Sequence, residues 1–512
     1  MAHRTPLKVL IIAQKSFFLG LLGYYKHFFI IFARKKQYNM LIGREQEQEM
    51  LHKAYESDSS QFVAVYGRRR VGKTYLVREC FADKFVFQHS GVAKASTKLQ
   101  LRYFKESLLK SGFPKARLPK DWIEAFSMLE QLIEQSEAEK KVVFIDEIPW
   151  MDTPRSNFIT ALEYFWNSFA SARKDVFLIV CGSATSWIIN KVLKNHGGLH
   201  NRVNLRISLQ PFTLHECELY AKSIGMRTTR YELLEYYMVL GGVAFYWSLL
   251  DKGKSVAQNI DSLLFSITGQ LHNEFNELYD SLFNNPEPYL KVINVLGTIK
   301  VGMPRTELLE KIGLSSGANI TRILDDLEAC GFIRKYNAFG KKRNDTIYQL
   351  IDNFTLFYFK FMKDNKGGDE HFWSHSYLSP VRYTWVGLAF ERVCMQHVNQ
   401  IKHKLGISGV LTSVSSWSVK DDPVYGQGAQ IDLLIERADN VVNVCEIKFS
   451  QDKYVISQDY SRNLAHKIER FLQTTKTRKT LHLTMITVNG LAHNEYWGMV
   501  QSEVVADDLF HE

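Results

Sequence analysis

The stretch Gly67-Arg68-Arg69-Arg70-Val71-Gly72-Lys73-Thr74 follows directly on the apolar run Phe62-Val63-Ala64-Val65-Tyr66. It fits G-x-x-x-x-G-K-[ST] set between a strand and a helix, the context in which that pattern has physical meaning. At ordinary residue frequencies a chance match in a chain of this length is on the order of 0.02, so a glycine-rich turn with a stray lysine is the weaker reading. The glycines let backbone N–H groups curl around a phosphate at a helix N-terminus, where the helix dipole favours negative charge. In such a loop Lys73 neutralises β and γ oxygens and the Thr74 hydroxyl ligates magnesium. Gly67, Arg68, Arg69, Arg70, Val71, Gly72, Lys73 and Thr74 are the expected nucleotide-binding set, with ATP and Mg2+ as cofactors.

Such a loop needs a carboxylate at the end of a neighbouring strand, and Val142-Val143-Phe144-Ile145-Asp146-Glu147 supplies one. Asp146 is placed to hold the metal through water and Glu147 to orient an attacking water, which points to hydrolysis beyond binding. Taken alone, Asp-Glu after a strand also reads as a helix cap. The next apolar run, residues 176–181, leads into Gly182-Ser183-Ala184. Ser183 there either senses the γ-phosphate or caps the next helix. Apolar strands alternating with amphipathic segments argue for a three-layer α/β domain with a largely parallel sheet.

These runs resemble, in order, the motifs of archaeal and bacterial ATPases of the AAA-related STAND class: Gly43-Arg44-Glu45, the loop itself, the run from Phe144 to Asp152, and Gly182-Ser183-Ala184-Thr185-Ser186-Trp187-Ile188. The resemblance spans residues 40–250. It implies ATP hydrolysis, and it maps onto Arg202, in Gly198-Leu199-His200-Asn201-Arg202 before Pro211-Phe212, an arginine that faces nucleotide. Read from the residues alone, Arg202 is equally a surface cation. The family's Gly-Gly-apolar-Pro lid signature stands here as Gly241-Gly242-Val243-Ala244, which puts the lid geometry near the nucleotide in doubt.

Composition narrows the class further. With 46% hydrophobic and 23% charged residues and only 11 prolines in 512 residues, disorder and fibrous folds are excluded. The net charge of +10 allows polyanionic partners without requiring them. Six scattered cysteines with no C-x-x-C pair suggest neither a disulfide framework nor a zinc ribbon, and a reducing cytoplasm fits best. In residues 1–39 an apolar, aromatic segment is interrupted by Lys15 and Lys26, so its uncharged run falls far short of the ~20 residues that span a bilayer. An interfacial anchor, a tail packed on the protein and upstream sequence ahead of a working start at Met40 all remain open. The domain-like opening at Met40 favours the last.

Beyond the ATPase domain, residues 40–210, a helical lid is expected over 211–284 and a winged helix over 285–352. In the latter, helices flanking Ile312-Gly313-Leu314 precede a two-strand wing tipped by Lys341-Lys342-Arg343. A basic wing reaches the phosphate backbone while the second helix enters the major groove. Against DNA stand Asp325, Asp326 and Glu328 on that helix, which leave a protein-docking role open.

In residues 353–512, Asp432 and Glu446 fall on strands joined by a turn at Ala438-Asp439-Asn440. That hairpin would converge two carboxylates and Lys448, a set able to bind Mg2+ and activate water against a phosphodiester. The pattern resembles the PD-(D/E)xK, restriction-endonuclease-like α/β fold, with Glu391 matching its first-helix glutamate, although no proline precedes Asp432. It also looks like the domain of poorly known function that accompanies these ATPases. An amphipathic hairpin with solvated charges and a site that binds DNA without cutting it are the alternatives. Expected partners are ATP, DNA, protein partners and further copies in a homo-oligomer, with no integral membrane insertion.

Overall fold

The computed structural model describes residues 41–511 except 195, 196, 200, 284, 314–316, 341–345, 366, 367, 424 and 425. The leader and the basic wing tip Lys341-Lys342-Arg343 lie outside the described residues. Strand β1 (Gln61–Tyr66) is flanked by β4 (Val176–Gly182) and β5 (Leu205–Ser208), parallel to both. With β2 (Phe85–Ser90) and β3 (Lys141–Asp146) they form a parallel five-stranded sheet in the order β2-β3-β4-β1-β5. Strands covered on both faces read as unbroken apolar runs, which makes β1, β3 and β4 legible in the sequence. The edge strand β2 was not expected, because Gln88, His89 and Ser90 interrupt its apolar pattern.

Helices α1 (Glu45–Tyr55) and α2 (Lys73–Phe81) cover one face of this sheet, burying Leu51, Leu76, Val77 and Phe81. Helices α3 (Thr97–Lys110), α4 (Trp122–Gln135) and α5 (Phe158–Ser168) cover the other with Phe104, Trp122, Phe126 and Phe158.

The chain then turns helical with α6 (Leu214–Ser223) and α7 (Arg230–Leu240), each started by a capping box, Thr213 with Glu216 and Thr229 with Glu232. After α8 (Glu274–Leu282) comes a module of α9 (Glu287–Leu296), β6 (Met303–Pro304), α10 (Arg305–Ile312), α11 (Ala318–Ala329), β7 (Ile333–Asn337) and β8 (Thr346–Leu350). Its strands form an antiparallel sheet in the order β6-β8-β7.

Helix α12 (Asn353–Phe357), capped by Asp352, leads to α13 (Pro380–Gln396) and a second five-stranded sheet. That sheet holds β9 (Thr412–Val419), β10 (Ala429–Arg437), β11 (Val441–Lys448), β12 (Thr480–Thr487) and β13 (Ser502–Val505) in the order β13-β12-β11-β10-β9. Helix α14 (Gln458–Thr475) joins β11 to β12, which run parallel, whereas β9, β10 and β11 are antiparallel.

The expected boundaries at 285 and 353 do not separate hydrophobic cores. One cluster runs from Phe212 and Leu234 through Leu308 and Ile323 to Trp385, Phe390 and Phe510. The aromatic stretch after Asp352 is the cause: the Phe357 ring lies 6.0 Å from Phe265, 5.0 Å from Trp373 and 5.4 Å from Trp385.

The β7–β8 hairpin is not a free wing where its loop begins, just past β7. Phe339 N donates to Ser416 O at 2.8 Å, Ala338 bridges to Ser416, and the Phe339 ring lies 4.9 Å from Phe471. Asp326, expected on the exposed face of α11, is buried and accepts from Tyr289 OH at 2.6 Å. Asp325 and Glu328 pair with Lys335 at 3.7 and 2.5 Å. All six cysteines are buried and free. Among the described residues no helix is long and apolar enough to cross a membrane.

A shared core predicts shared melting. Trp385→Ala should cost about 3–5 kcal/mol, and in calorimetry it should lower one transition that includes the lid, the three-stranded module and the C-terminal sheet. A separate transition for residues 353–512 would contradict the continuous core.

Candidate active site

Strand β1 ends at Tyr66, and the chain turns at Gly67, whose φ is 149°. A Cβ there would lie 2.2 Å from Leu209 O, so only glycine fits beside β5. Gly72, at φ 96°, caps α2 and points the helix N-terminus into a cavity of about 680 Å3. Arg69, Arg70, Val71, Gly72, Lys73, Thr74, Glu147 and Ser183 of the expected set all line it.

The two halves of the expected metal site meet. Thr74 Oγ1 donates to Asp146 Oδ2 at 2.7 Å, and Glu147 N donates to Asp146 Oδ1 at 2.9 Å. A hydroxyl beside a carboxylate is a hard-oxygen donor set suited to Mg2+, which keeps waters and takes its remaining ligands from phosphates. Such a site needs no cluster of three protein carboxylates, and none able to hold a metal occurs among the described residues.

Lys73 Nζ donates to Arg68 O at 2.8 Å and to Ser183 Oγ at 3.3 Å. Glu147 adopts φ 48°, in the left-handed region that costs a non-glycine residue energy and recurs at functional sites. Its carboxylate accepts from Ser183 N at 3.1 Å and Ser183 Oγ at 2.5 Å. Neither Glu147 nor Ser183 caps a helix through its side chain; the following helix, Thr185–Ile188, has Ala184 as its N-cap. Lys73, Ser183 and Glu147 thus form one hydrogen-bonded chain along the cavity wall.

Two expected ligands are placed elsewhere. The Arg68 side chain turns away from the cavity and pairs with the buried carboxylate of Asp352. Arg202 is exposed and lies outside the cavity lining. Arg70 lines the cavity while pairing with Glu274 and stacking 4.5 Å over Phe245.

Sequence reasoning missed the apolar end of the cavity, formed by Leu41, Ile42, Phe212, Tyr220 and Phe245. Arg44 organises it. With φ 64°, it donates to Gln210 O at 2.6 Å, pairs with Glu216 at 3.3 Å and lies 4.6 Å over the Phe212 ring. The signal was present in Gly43-Arg44-Glu45 and Pro211-Phe212, but only folding brings these segments together.

The C-terminal carboxylates have separate partners. Glu446 lies on the face of the sheet covered by α14, where it accepts from Tyr460 OH at 2.5 Å and pairs with Lys467 at 2.8 Å and Lys448 at 3.1 Å. Asp432 lies on the opposite face with α13, where Lys300 bridges it at 3.5 Å to Glu391 at 3.0 Å. A register shift between Ile431 and Leu434 is the physical reason, because a bulge breaks the alternation of side chains along β10.

Lysines pair with both groups of acids. Burial raises the Glu391 carboxyl, and Asp432 adds to the rise. Burial would raise Glu446 too, but Lys467 and Lys448 outweigh it and hold that carboxyl below the usual range.

Residues 41–245 have the parallel sheet, loop and strand-end carboxylate of a P-loop nucleotide triphosphatase. The same residues match the family described as an ATPase domain predominantly from Archaea. An uncharacterized protein of Methanocaldococcus jannaschii is 23% identical over 409 residues, 77% of this chain and 84% of its own. Among solved structures, the Walker-type ATPase of Pyrococcus abyssi is similar at 15% identity and a TM-score of 0.45, over 62% of this chain and 95% of that one. A STAND protein with a tetratricopeptide repeat sensor from Pyrococcus horikoshii is similar at 14% identity and a TM-score of 0.31, over 72% and 52%.

Glu446 gives a pH-dependent prediction. Because its folded carboxyl lies below the unfolded value, the pairing stabilises fully above the usual carboxylate range, and that contribution fades as pH falls through the folded value. Lys467→Met should therefore cost about 3–5 kcal/mol at neutral pH, and the deficit should shrink on acidification. Denaturant titrations from neutral pH downward check this; a deficit independent of pH would rule out the charge pairing as its source.

Proposed function

We propose that this chain is an ATP-hydrolysing switch whose ATPase domain drives a DNA-engaging C-terminal half. The observation that carries the hydrolytic part is the meeting of Thr74 and Asp146 at 2.7 Å, beside Lys73 and a glutamate held in the cavity by Ser183. In this reading ATP seats its triphosphate over the N-terminus of α2, with Lys73 against β and γ oxygens and the apolar end around Phe212 and Phe245 taking the base. Mg2+ held at Thr74 and Asp146 would neutralise charge developing on the phosphate oxygens. Glu147, on leaving Ser183, accepts a proton from the attacking water, while Ser183 and Lys73 remain beside the γ-phosphate. Arg202, exposed, is available to a neighbouring copy in a homo-oligomer.

The helices α10 and α11 with the β6-β8-β7 sheet support a winged-helix reading. Asn319, Thr321 and Arg322 form its exposed polar face, with Arg305 half-buried beside them. Arg305 donates to Thr321 Oγ1 at 2.9 Å and Arg322 to Asn319 Oδ1 at 3.2 Å. One observation favours the second reading, a nucleotide-gated adaptor for protein partners: the start of the hairpin loop is docked on β9 through Phe339 and Ser416. Cutting of DNA by the C-terminal domain is not proposed, because Asp432 and Glu446 occupy opposite faces.

Lys73→Ala should abolish nucleotide binding, whereas Glu147→Gln should retain it and lose hydrolysis by at least about 100-fold, the lower range for general-base loss. Steady-state ATPase assays with equilibrium nucleotide binding check both, and wild-type turnover by Glu147→Gln would remove that residue from the mechanism.

For DNA, replacing Lys341, Lys342 and Arg343 with alanine should weaken duplex binding and reduce the salt slope by up to ~0.9 per lost phosphate contact. Fluorescence anisotropy across salt, with and without ATP, reads both; an unchanged slope favours the adaptor.

A further inference from the structure

Arg68 is the second residue of the phosphate loop, yet its guanidinium serves another part of the molecule. It is ion-paired with Asp352, each side chain 4% exposed, and lies 5.0 Å over the Phe332 ring. Asp352 Oδ2 accepts from Thr355 N at 2.9 Å and Thr355 Oγ1 at 2.6 Å, so the carboxylate that holds Arg68 also caps α12. On the other side, the Arg68 carbonyl accepts from Lys73 Nζ at 2.8 Å. A single residue therefore touches the loop lysine through its backbone and, through its side chain, a helix cap 284 positions away.

The pair is a poor stabilising device. Arg68 Nε and Nη2 are buried with no hydrogen-bond partner, and a buried ion pair with unmet donors is often replaced by apolar groups at no loss of stability. Its place in the loop accounts for it better. Arg70 makes a second, parallel link: it pairs with Glu274 of α8, which also accepts from Tyr246 OH at 2.7 Å. Two of the three loop arginines thus reach past the ATPase sheet into the continuous core of the lid and C-terminal half.

We propose that Arg68 and Asp352 form a latch through which nucleotide at the loop and the seating of α12 control each other, making Asp352 a positioning residue of the nucleotide site. The proposal rests on the nucleotide reading above. A triphosphate draws Lys73 Nζ off the Arg68 carbonyl, and the freed peptide shifts. The side chain, bolted to Asp352, transmits that shift to the cap of α12. By linkage, the factor by which nucleotide changes the seating of α12 equals the factor by which that seating changes nucleotide affinity.

Hydrogen exchange on the full chain, with and without Mg2+ and a non-hydrolysable ATP analogue, tests the latch. In the wild type, exchange should slow at residues 67–74 and change at residues 352–357 together. Arg68→Met with Asp352→Asn removes both buried charges, so it should fold, keep the response at 67–74 and lose the one at 352–357. Asp352→Asn alone should raise the KM for ATP about tenfold, with kcat changed much less, a split that a loss of folded protein does not produce. Protection at 67–74 with no change at 352–357 in the wild type overturns the latch alone, as does coupling that survives the double variant. Absence of protection at 67–74 overturns the nucleotide reading and the latch with it. If the double variant does not fold, the wild-type comparison and the Asp352→Asn split decide.

Discussion

The nucleotide site depends on the close approach of Gly67 to the Leu209 carbonyl. Without a side chain at that position, β1 can run parallel to β5 and turn at once into the loop, so that Lys73 opens α2 facing the cavity. A methyl group there would meet the carbonyl oxygen at 2.2 Å and push the loop away from β5. The consequence would reach the far wall of the cavity, because Thr74 meets Asp146 and Lys73 meets Ser183 only while α2 keeps its place over β3 and β4.

The molecule distributes its apolar surface unevenly around that site. The parallel sheet has its own cover on each face, whereas the lid, the three-stranded module and the C-terminal sheet share one core. Contacts between the two parts include charged and polar ones at the loop: Arg68 with Asp352, Arg70 with Glu274, and Phe245 N to Arg70 O at 3.1 Å. These contacts tie the phosphate loop directly to the shared core.

The sequence made part of this legible and hid the rest for physical reasons. Chemistry carried by adjacent residues was readable: the loop, Asp146 with Glu147, and Ser183 at the end of β4 all stand where strand ends place them. The base-side wall was not, since Leu41, Arg44, Phe212 and Phe245 come from separate segments and are ordinary residues singly. Arg68 fits the loop pattern as well as its neighbours do. Only the buried carboxylate of Asp352, far along the chain, shows where its side chain goes.

The C-terminal half shows how a correct strand assignment can still misplace its chemistry. The turn at Asn440 does pair β10 with β11, and Leu433 opposes Cys445 in register. Continued by one residue, that ladder would set Asp432 beside Glu446. Side chains alternate strictly only in an unbroken strand, however, and the shift between Ile431 and Leu434 breaks this one. Val442 and Val444 pack with Phe471 of α14, and Glu446 follows them to Tyr460 and Lys467. Leu433 belongs instead to the core beneath α13, and Asp432 turns the same way to Lys300 and Glu391. Each carboxylate is paired with lysine on its own face, so these acids serve the seams where α14 and the three-stranded module meet the sheet.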